Sequence, residues 1–441
     1  MIAQAMVVTT TLLWGRAARG DEQRWPTPER PVSATVERPA KTQLLACSFR
    51  ESVCVHADRA AFRSLDSATV TETLRVAEDA LQALRALGLP GPRDDGDLGG
   101  NHAFDLYLLK TASTASSYAD PRLTTTSVDQ TSAFAILPAD PPGPRCAAAS
   151  GLARALVQGV LLGLDAAQHS GTLALHSSYL ASLISPCHPL EAAAIDRFQR
   201  TPELALTVGH PDRFEGTMLL SSYLDATYGV GKPGAVMSGL IATSTQHTPA
   251  VATHWRNEPD IFDALREVLP RRGKQFGDLL TDFAVARAFV GSRSDGAHLP
   301  DTERFGDLGR VRFEWSVGYD SLPRRVGPLR PVQPTGATYL WLDLAKAEPH
   351  SGVLFVAEWE ESFVFQWCLV RVDDQGREIG RSTIGGVFGK HLAQQTINDL
   401  GDAAGLLIVG TSLGNDDRSN PFDPDVGPPR EAAYEVTLHA R

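Results

Sequence analysis

Few residue types in this chain are spaced for chemistry, and each candidate has a plainer structural reading beside it. His169 and His176 lie seven apart, which puts them on one helical face if one helix joins them. Ser170 and Gly171 argue against such a helix, so two polar surface positions are the simpler expectation. His188 and Glu191 follow Pro186 as an HxxE pair, suited to capping a helix; a metal would need two further ligands. His247 and His254 repeat the spacing of seven across Pro249. Gly410–Gly414 reads GTSLG, and the strand-like LLIV before it is half of a nucleophile elbow for Ser412. The other half is missing, because NDDRSNPFDPD follows instead of a helix, and His439 is the only downstream histidine. That acidic run carries Asp416, Asp417, Asp423 and Asp425, hard oxygen donors that would suit calcium, although the EF-hand spacing is absent and acids favour turns for backbone reasons alone. DDGDLGG, from Asp94, is a weaker version of the same pattern. Trp315, Trp341, Trp359 and Trp367 are four of the seven tryptophans and crowd the C-terminal third. They would either line a carbohydrate or peptide surface or fill a strand core, and the core is the default.

Composition narrows the partners. The 441 residues carry 41 Lys and Arg against 52 Asp and Glu, a net charge of -11. That balance, with no cationic stretch, excludes nucleic acid or an anionic membrane as the main partner. At the N-terminus a short apolar run, Ala5–Trp14, precedes small residues and then a Pro-rich polar stretch, which reads as an export signal over residues 1–20 and a disordered linker over 21–43. No basic residue precedes the apolar run, a departure from the usual signal. No stretch elsewhere reaches the length of a membrane span. Five cysteines fit export: Cys47 pairs locally with Cys54, Cys146 with Cys187, and Cys368 is left as a buried thiol in an apolar strand. No CxxC occurs, so zinc does not explain them.

The elements that would position these residues come in two blocks. Val70, Leu74, Ala77, Leu81, Leu84 and Leu87 recur at helical spacing, with Thr69 and Glu72 as a capping box and Gly88 and Pro90 as the stop. A strand over 103–110 and a second at 132–137 follow, then a helix apolar on nearly every side, CAAASGLARALVQGVLLGLDAAQ, which such composition places in the middle of a domain. Residues 190–292 read as helical throughout. After a linker at 293–304, residues 305–441 alternate with period two between turn signals and read as an all-β sandwich. The fold class is therefore an α+β domain, mostly helical with a small mixed sheet, over 44–292, followed by that sandwich.

The order helix, strand, edge strand, buried helix, second helix, helical lobe resembles the secreted zinc metallopeptidases of the gluzincin type. In that family the buried helix carries HExxH: two histidines four apart bind zinc, and the intervening glutamate takes a proton from the bound water. Here the matching stretch is LARALVQG, with Arg154 and Gln158 at the histidine positions and Ala155 at the glutamate. Arginine has no free lone pair and alanine cannot act as a base. The next helix, TLALHSSYLASLISPC, has no acid for a third ligand. The downstream phrase FEGTMLLSSYLDATYG is similar to a helix and turn of the same enzymes, in which Glu215 and Gly216 would belong to the scaffold. The resemblance implies a secreted or cell-envelope protein with a degenerate, pseudopeptidase-like cleft, floored by a strand at Ala133–Leu137. It implies no catalytic residue, no cofactor and no metal, and a protein, peptide or envelope ligand as partner. The rival readings are an active secreted hydrolase with other catalytic residues and a binding module acting through the sandwich.

Overall fold

The computed structural model describes residues 36–125, 129–207, 211–245, 259–415 and 430–441. The first sheet has the order β1-β2-β3-β5-β4, with β1 (Gln43–Cys47), β2 (Val53–Ala57), β3 (Phe104–Leu109), β4 (Ser116–Thr125) and β5 (Gln130–Pro138). Strands β2, β3 and β5 are parallel, and the antiparallel β1 and β4 form the two edges. The strand expected to floor a cleft is thus central. The edge is β4, SSYADPRLTT, whose polar sequence reads as a loop. On one face Val55, Leu106, Leu108 and Ala135 pack against helices α2 (Ser67–Ala86) and α3 (Ala147–Leu164); the short α1 (Arg59–Phe62) leads into α2. The α2 cap differs from the expectation: the Asp66 carboxylate accepts from the Thr69 N–H, while Glu72 pairs with Arg75. Helix α3 is, among the described residues, the one helix long and apolar enough to cross a membrane, and it is the core helix of this domain. At Gly159 a Cβ would stand 2.6 Å from the Phe104 ring, so the missing side chain lets α3 lie close on the sheet.

The other helices are α4 (Ser170–Ile184), α5 (His188–Gln199), α6 (Pro211–Phe214), α7 (Met218–Tyr228), α8 (Ala235–Ser244), α9 (Ile261–Val268) and α10 (Phe276–Ala288). His169 and His176 do share one helix: His169 caps α4 by accepting from the Gly171 N–H at 3.1 Å, and His176 is buried inside it rather than on the surface.

The opposite face of the first sheet is closed by the segment before β1. Arg38, within the stretch expected to be a disordered linker, inserts its guanidinium among Asp95, Asp105 and Asp120, all 1% exposed or less. Its Nε donates to Asp120 at 3.1 Å, an Nη atom contacts Asp105, and the ring of Phe134 lies 5.0 Å away. His56 Nε2 bonds to the other oxygen of Asp105 at 2.8 Å. Asp95, from DDGDLGG, thus serves an ion pair.

The C-terminal part is two facing sheets, one with the order β11-β10-β13-β8-β6 and one with β12-β9-β14-β7. Their strands are β6 (Trp315–Gly318), β7 (Arg324–Val326), β8 (Ala337–Asp343), β9 (Val353–Trp359), β10 (Phe363–Val372), β11 (Glu378–Gly385), β12 (Leu392–Ile397), β13 (Gly405–Asn415) and β14 (Tyr434–Ala440). Phe355, Phe365, Trp367, Ile408 and Val436 fill the space between them. A β-sandwich therefore follows the helical part, as the period-two runs predict. The outer face of the larger sheet is not free. Tyr339, Val370 and Val409 pack against Ala284, Val285 and Phe289 of α10 and its end. The Tyr339 hydroxyl donates to the Ala284 carbonyl at 2.8 Å. Between the two parts, residues 293–304, expected as a linker, bury Leu299 and Thr302. His298 there stacks on Phe289 and reaches Asp295 at 2.8 Å and Glu378 of β11 at 2.9 Å.

Both expected disulfides form, Cys47–Cys54 and Cys146–Cys187. They fit a protein that folds outside a reducing cytoplasm. Cys368 is free and buried, and burial pushes its thiol up to about 11, which makes it unreactive.

Candidate functional site: the cleft at the head of the core helix

A cleft of about 680 Å³ opens where the first two turns of α3 meet α2, the end of β5, the C-terminal half of α4 and α5. That volume suits a small molecule or a short peptide. Its walls mix apolar groups, among them Leu137, Pro138, Ala181 and Met218, with Arg145, Arg154, Arg197, Glu191 and Glu215.

The three positions compared with HExxH, 154, 155 and 158, diverge here. Arg154 faces the cleft. One Nη forms an ion pair with Glu215, and the other donates to the Ala115 carbonyl at 3.2 Å, on the loop leading into β4. Burial pulls the Arg154 pKa below its usual value. Glu215 sits in a 3-10 turn pressed onto α5, and a Cβ on the neighbouring Gly216 would lie 2.3 Å from the Ala194 carbonyl. Glu215 thereby ties this turn to α3. Its partner stands 61 residues away in sequence, which no local pattern reveals.

Ala155 is fully buried under the sheet, and its carbonyl accepts from Ser117 Oγ at 2.6 Å. Gln158 also turns to β4: its side-chain oxygen accepts from the Ser117 N–H at 3.0 Å and from Ser116 Oγ at 3.2 Å. Arg154 and Gln158 thus share a helical face but reach different partners. This donor set does not fit zinc. A guanidinium offers no lone pair, a methyl offers nothing, and the amide oxygen is already engaged. Among the described residues no group of three His, Cys, Asp or Glu side chains is placed to hold a metal ion.

The remaining candidates find ordinary roles or lie elsewhere. Glu191 accepts from the Cys187 N–H at 3.1 Å and approaches His188 at 3.4 Å, so the HxxE pair caps α5. Ser412 lies inside β13, fully buried, and its N–H donates to the Gly336 carbonyl, so no nucleophile elbow exists. Trp359 and Trp367 are sandwich core, Trp341 stacks on Phe313 and Trp315 donates to the Gly327 carbonyl, so these four form no tryptophan platform. His247, His254, Asp416, Asp417, Asp423 and Asp425 lie outside the described residues. A second, much smaller space of about 10 Å³ is bordered by Asp165, Gln168, His176 and Ser244. Among the described residues neither ring nitrogen of His176 has a partner, and burial pushes the imidazole down to about 4.

No family model matches the chain, and no curated protein does. Among solved structures, the pre-peptidase C-terminal domain of a collagenase from Bacillus anthracis aligns at 8% identity over 29% of this chain and 98% of its own, with a TM-score of 0.19. Aminopeptidase A of Legionella pneumophila aligns at 8% identity over 82% of this chain and 36% of its own, with a TM-score of 0.33. A mitogen from Yersinia pseudotuberculosis aligns at 12% identity over 27% of this chain and 86% of its own, with a TM-score of 0.17. At such scores none of these likenesses carries an argument about fold family or activity.

Proposed function

We propose that this is an exported, pseudopeptidase-like protein whose zincin-like cleft holds a peptide ligand without cleaving it. The observation that carries the reading is the Arg154–Glu215 ion pair, which occupies the cleft where a zinc helix would present its first ligand. A fixed guanidinium there repels a divalent cation and supplies no electron pair. The neighbouring Ala155 offers no general base, and Gln158 is committed to the edge strand. What remains is a cleft of ligand size with apolar walls and a few fixed charges, a combination that binds rather than reacts.

The test is metal analysis of the purified full chain together with a broad peptidase assay. The expected result is less than stoichiometric zinc after exposure to the metal and no cleavage above background. Tightly held stoichiometric zinc, or cleavage abolished by a chelator, overturns the reading.

A further inference from the structure

An edge strand offers unpaired N–H and C=O groups to any other strand, and proteins block such edges with charge, proline, bulges or shortness. The described sheets end in the edges β1, β4, β6, β7, β11 and β12. All but the last carry such a device. The pairing of β1 is bulged between Leu44 and Ala46, and β4 is bulged and contains Asp120 and Pro121. Strand β6 has only 4 residues, and β7 has 3, two of them Arg324 and Arg325. Strand β11 is bulged and carries Glu378 and Arg381. By contrast β12, LAQQTI, has no charge and no proline, and its 6 residues pair with β9 in unbroken register.

The open side of β12 has a definite register. The Trp359 N–H donates to the His391 carbonyl at 3.0 Å, so Ala393, Gln395 and Ile397 in turn face β9. Leu392, Gln394 and Thr396 therefore point their backbone groups outward; the Thr396 carbonyl accepts from the Gln395 side chain at 3.1 Å. These outward residues are centred on Gln394. A two-fold axis there sets Leu392 opposite Thr396 of a second copy and Gln394 opposite itself, so that every outward residue exchanges both of its hydrogen bonds.

The surroundings suit a second copy. The strand is neutral, so pairing with itself opposes no like charges, although the chain carries a net charge of -11. In the same register the exposed Lys390 comes level with Asn398 of the other copy, beside Asp399, whose present partner is the exposed His350 at 3.2 Å. The loop leading into β12 leaves Val387 48%, Phe388 67% and Leu392 50% exposed, an apolar cluster that the pairing would cover.

We propose that β12 is a self-association edge, which pairs antiparallel with β12 of a second copy about a two-fold axis at Gln394 and joins the two four-stranded sheets into one. Such an interface is small for a specific one, so the dimer forms and dissociates with concentration. The proposal is independent of what the cleft binds.

Sedimentation velocity of the purified full chain, from about 1 to about 200 μM, reads the equilibrium. The expected result is a weight-average mass that climbs toward twice that of one chain. Gln394→Lys sets two cations across the axis and should move the midpoint at least about tenfold higher in concentration. Gln394→Pro removes an outward N–H and none bonded to β9, so it should weaken association while the circular dichroism spectrum is kept. Should the proline variant misfold, the lysine variant and a cross-link decide. With a short bismaleimide, Gln394→Cys should give a covalent dimer, and Arg325→Cys, on the opposite edge of the same sheet, should not. A chain that stays monomeric throughout the range overturns self-pairing in favour of a strand from another protein. Association unchanged by Gln394→Lys, or cross-linked through Arg325→Cys alone, also overturns it, because a different surface then joins the copies.

Discussion

Replacing His176 by leucine should make the protein less sensitive to acid. His176 is 3% exposed in the middle of α4, and neither ring nitrogen finds a partner among the described residues. Burial lowers its pKa from 6.5 to about 4. The unfolded chain therefore binds a proton between those values that the folded chain refuses, so wild-type stability falls as the pH drops through that window. With the free value of 6.5 and a folded value of about 4, the loss is about 2 kcal/mol at pH 5 and approaches about 3 kcal/mol near pH 4. Leucine has no titration, so the stability difference between variant and wild type should widen by those amounts from pH 8 downward. At pH 8 the variant should already be at least as stable, because leucine leaves no buried ring N–H unpaired, a defect worth about 1–3 kcal/mol. Urea unfolding at several pH values measures this. Far-UV circular dichroism is the suitable probe, since the four tryptophans among the described residues all lie in the C-terminal part. Parallel pH profiles for the two proteins would refute the reasoning and mean that His176 keeps a proton-accepting partner in the folded state.

Two further perturbations follow from charges and cross-links. Arg38→Met removes the guanidinium shared by three buried carboxylates and should cost about 3–5 kcal/mol at neutral pH. Burial already raises the Asp95 pKa, so protonation favours the folded state, and the deficit should shrink as the pH falls. Urea midpoints at pH 7 and pH 5 check both statements, and an unchanged midpoint would show that the segment before β1 is not needed. Opening Cys146–Cys187, which spans 41 residues, should cost about 4 kcal/mol on chain entropy. Opening Cys47–Cys54, which spans 7, should cost about 2.5 kcal/mol. Thermal melts of the paired Cys→Ser variants rank the two, and a reversed order refutes the loop-length argument.

How much of this was legible depended on whether the decisive contacts were local. The α2 stripe from Val70 to Leu87 and the all-round apolar α3 are periodic signals, and both became the expected helices. The cysteine pairs and the sandwich strands were legible for the same reason. Strand β4 was not, because an edge strand has one unpaired side and tolerates Asp120 and Pro121 among serines and threonines. The Arg38 cluster was partly legible. Asp105 interrupts the apolar strand FDLYLL, and a carboxylate in a buried strand requires a cation. That signal says a partner exists without saying where, since Arg38 lies 67 residues away. Arg154 and Glu215 posed the same problem: each is unremarkable in its own window, and the fold alone makes them a pair.

On the proposed reading, the lost motif is better understood as a replacement than as simple decay. Decay would leave positions that contact nothing in particular, each free to drift. Here Arg154 ties the core helix to Glu215 and to the loop before β4. Gln158, one turn on, ties it to the first two residues of β4. Ala155 between them leaves room for the Ser117 hydroxyl to reach its carbonyl. These contacts join the core helix to the edge strand and to the 3-10 turn that carries Glu215. A histidine at 154 would leave Glu215 beside a weaker and shorter base, and one at 158 would strip the amide acceptor from the strand. Restoring the zinc motif would therefore have to undo contacts that now position the cleft walls, which is why the proposed function assigns those residues to shaping a binding site.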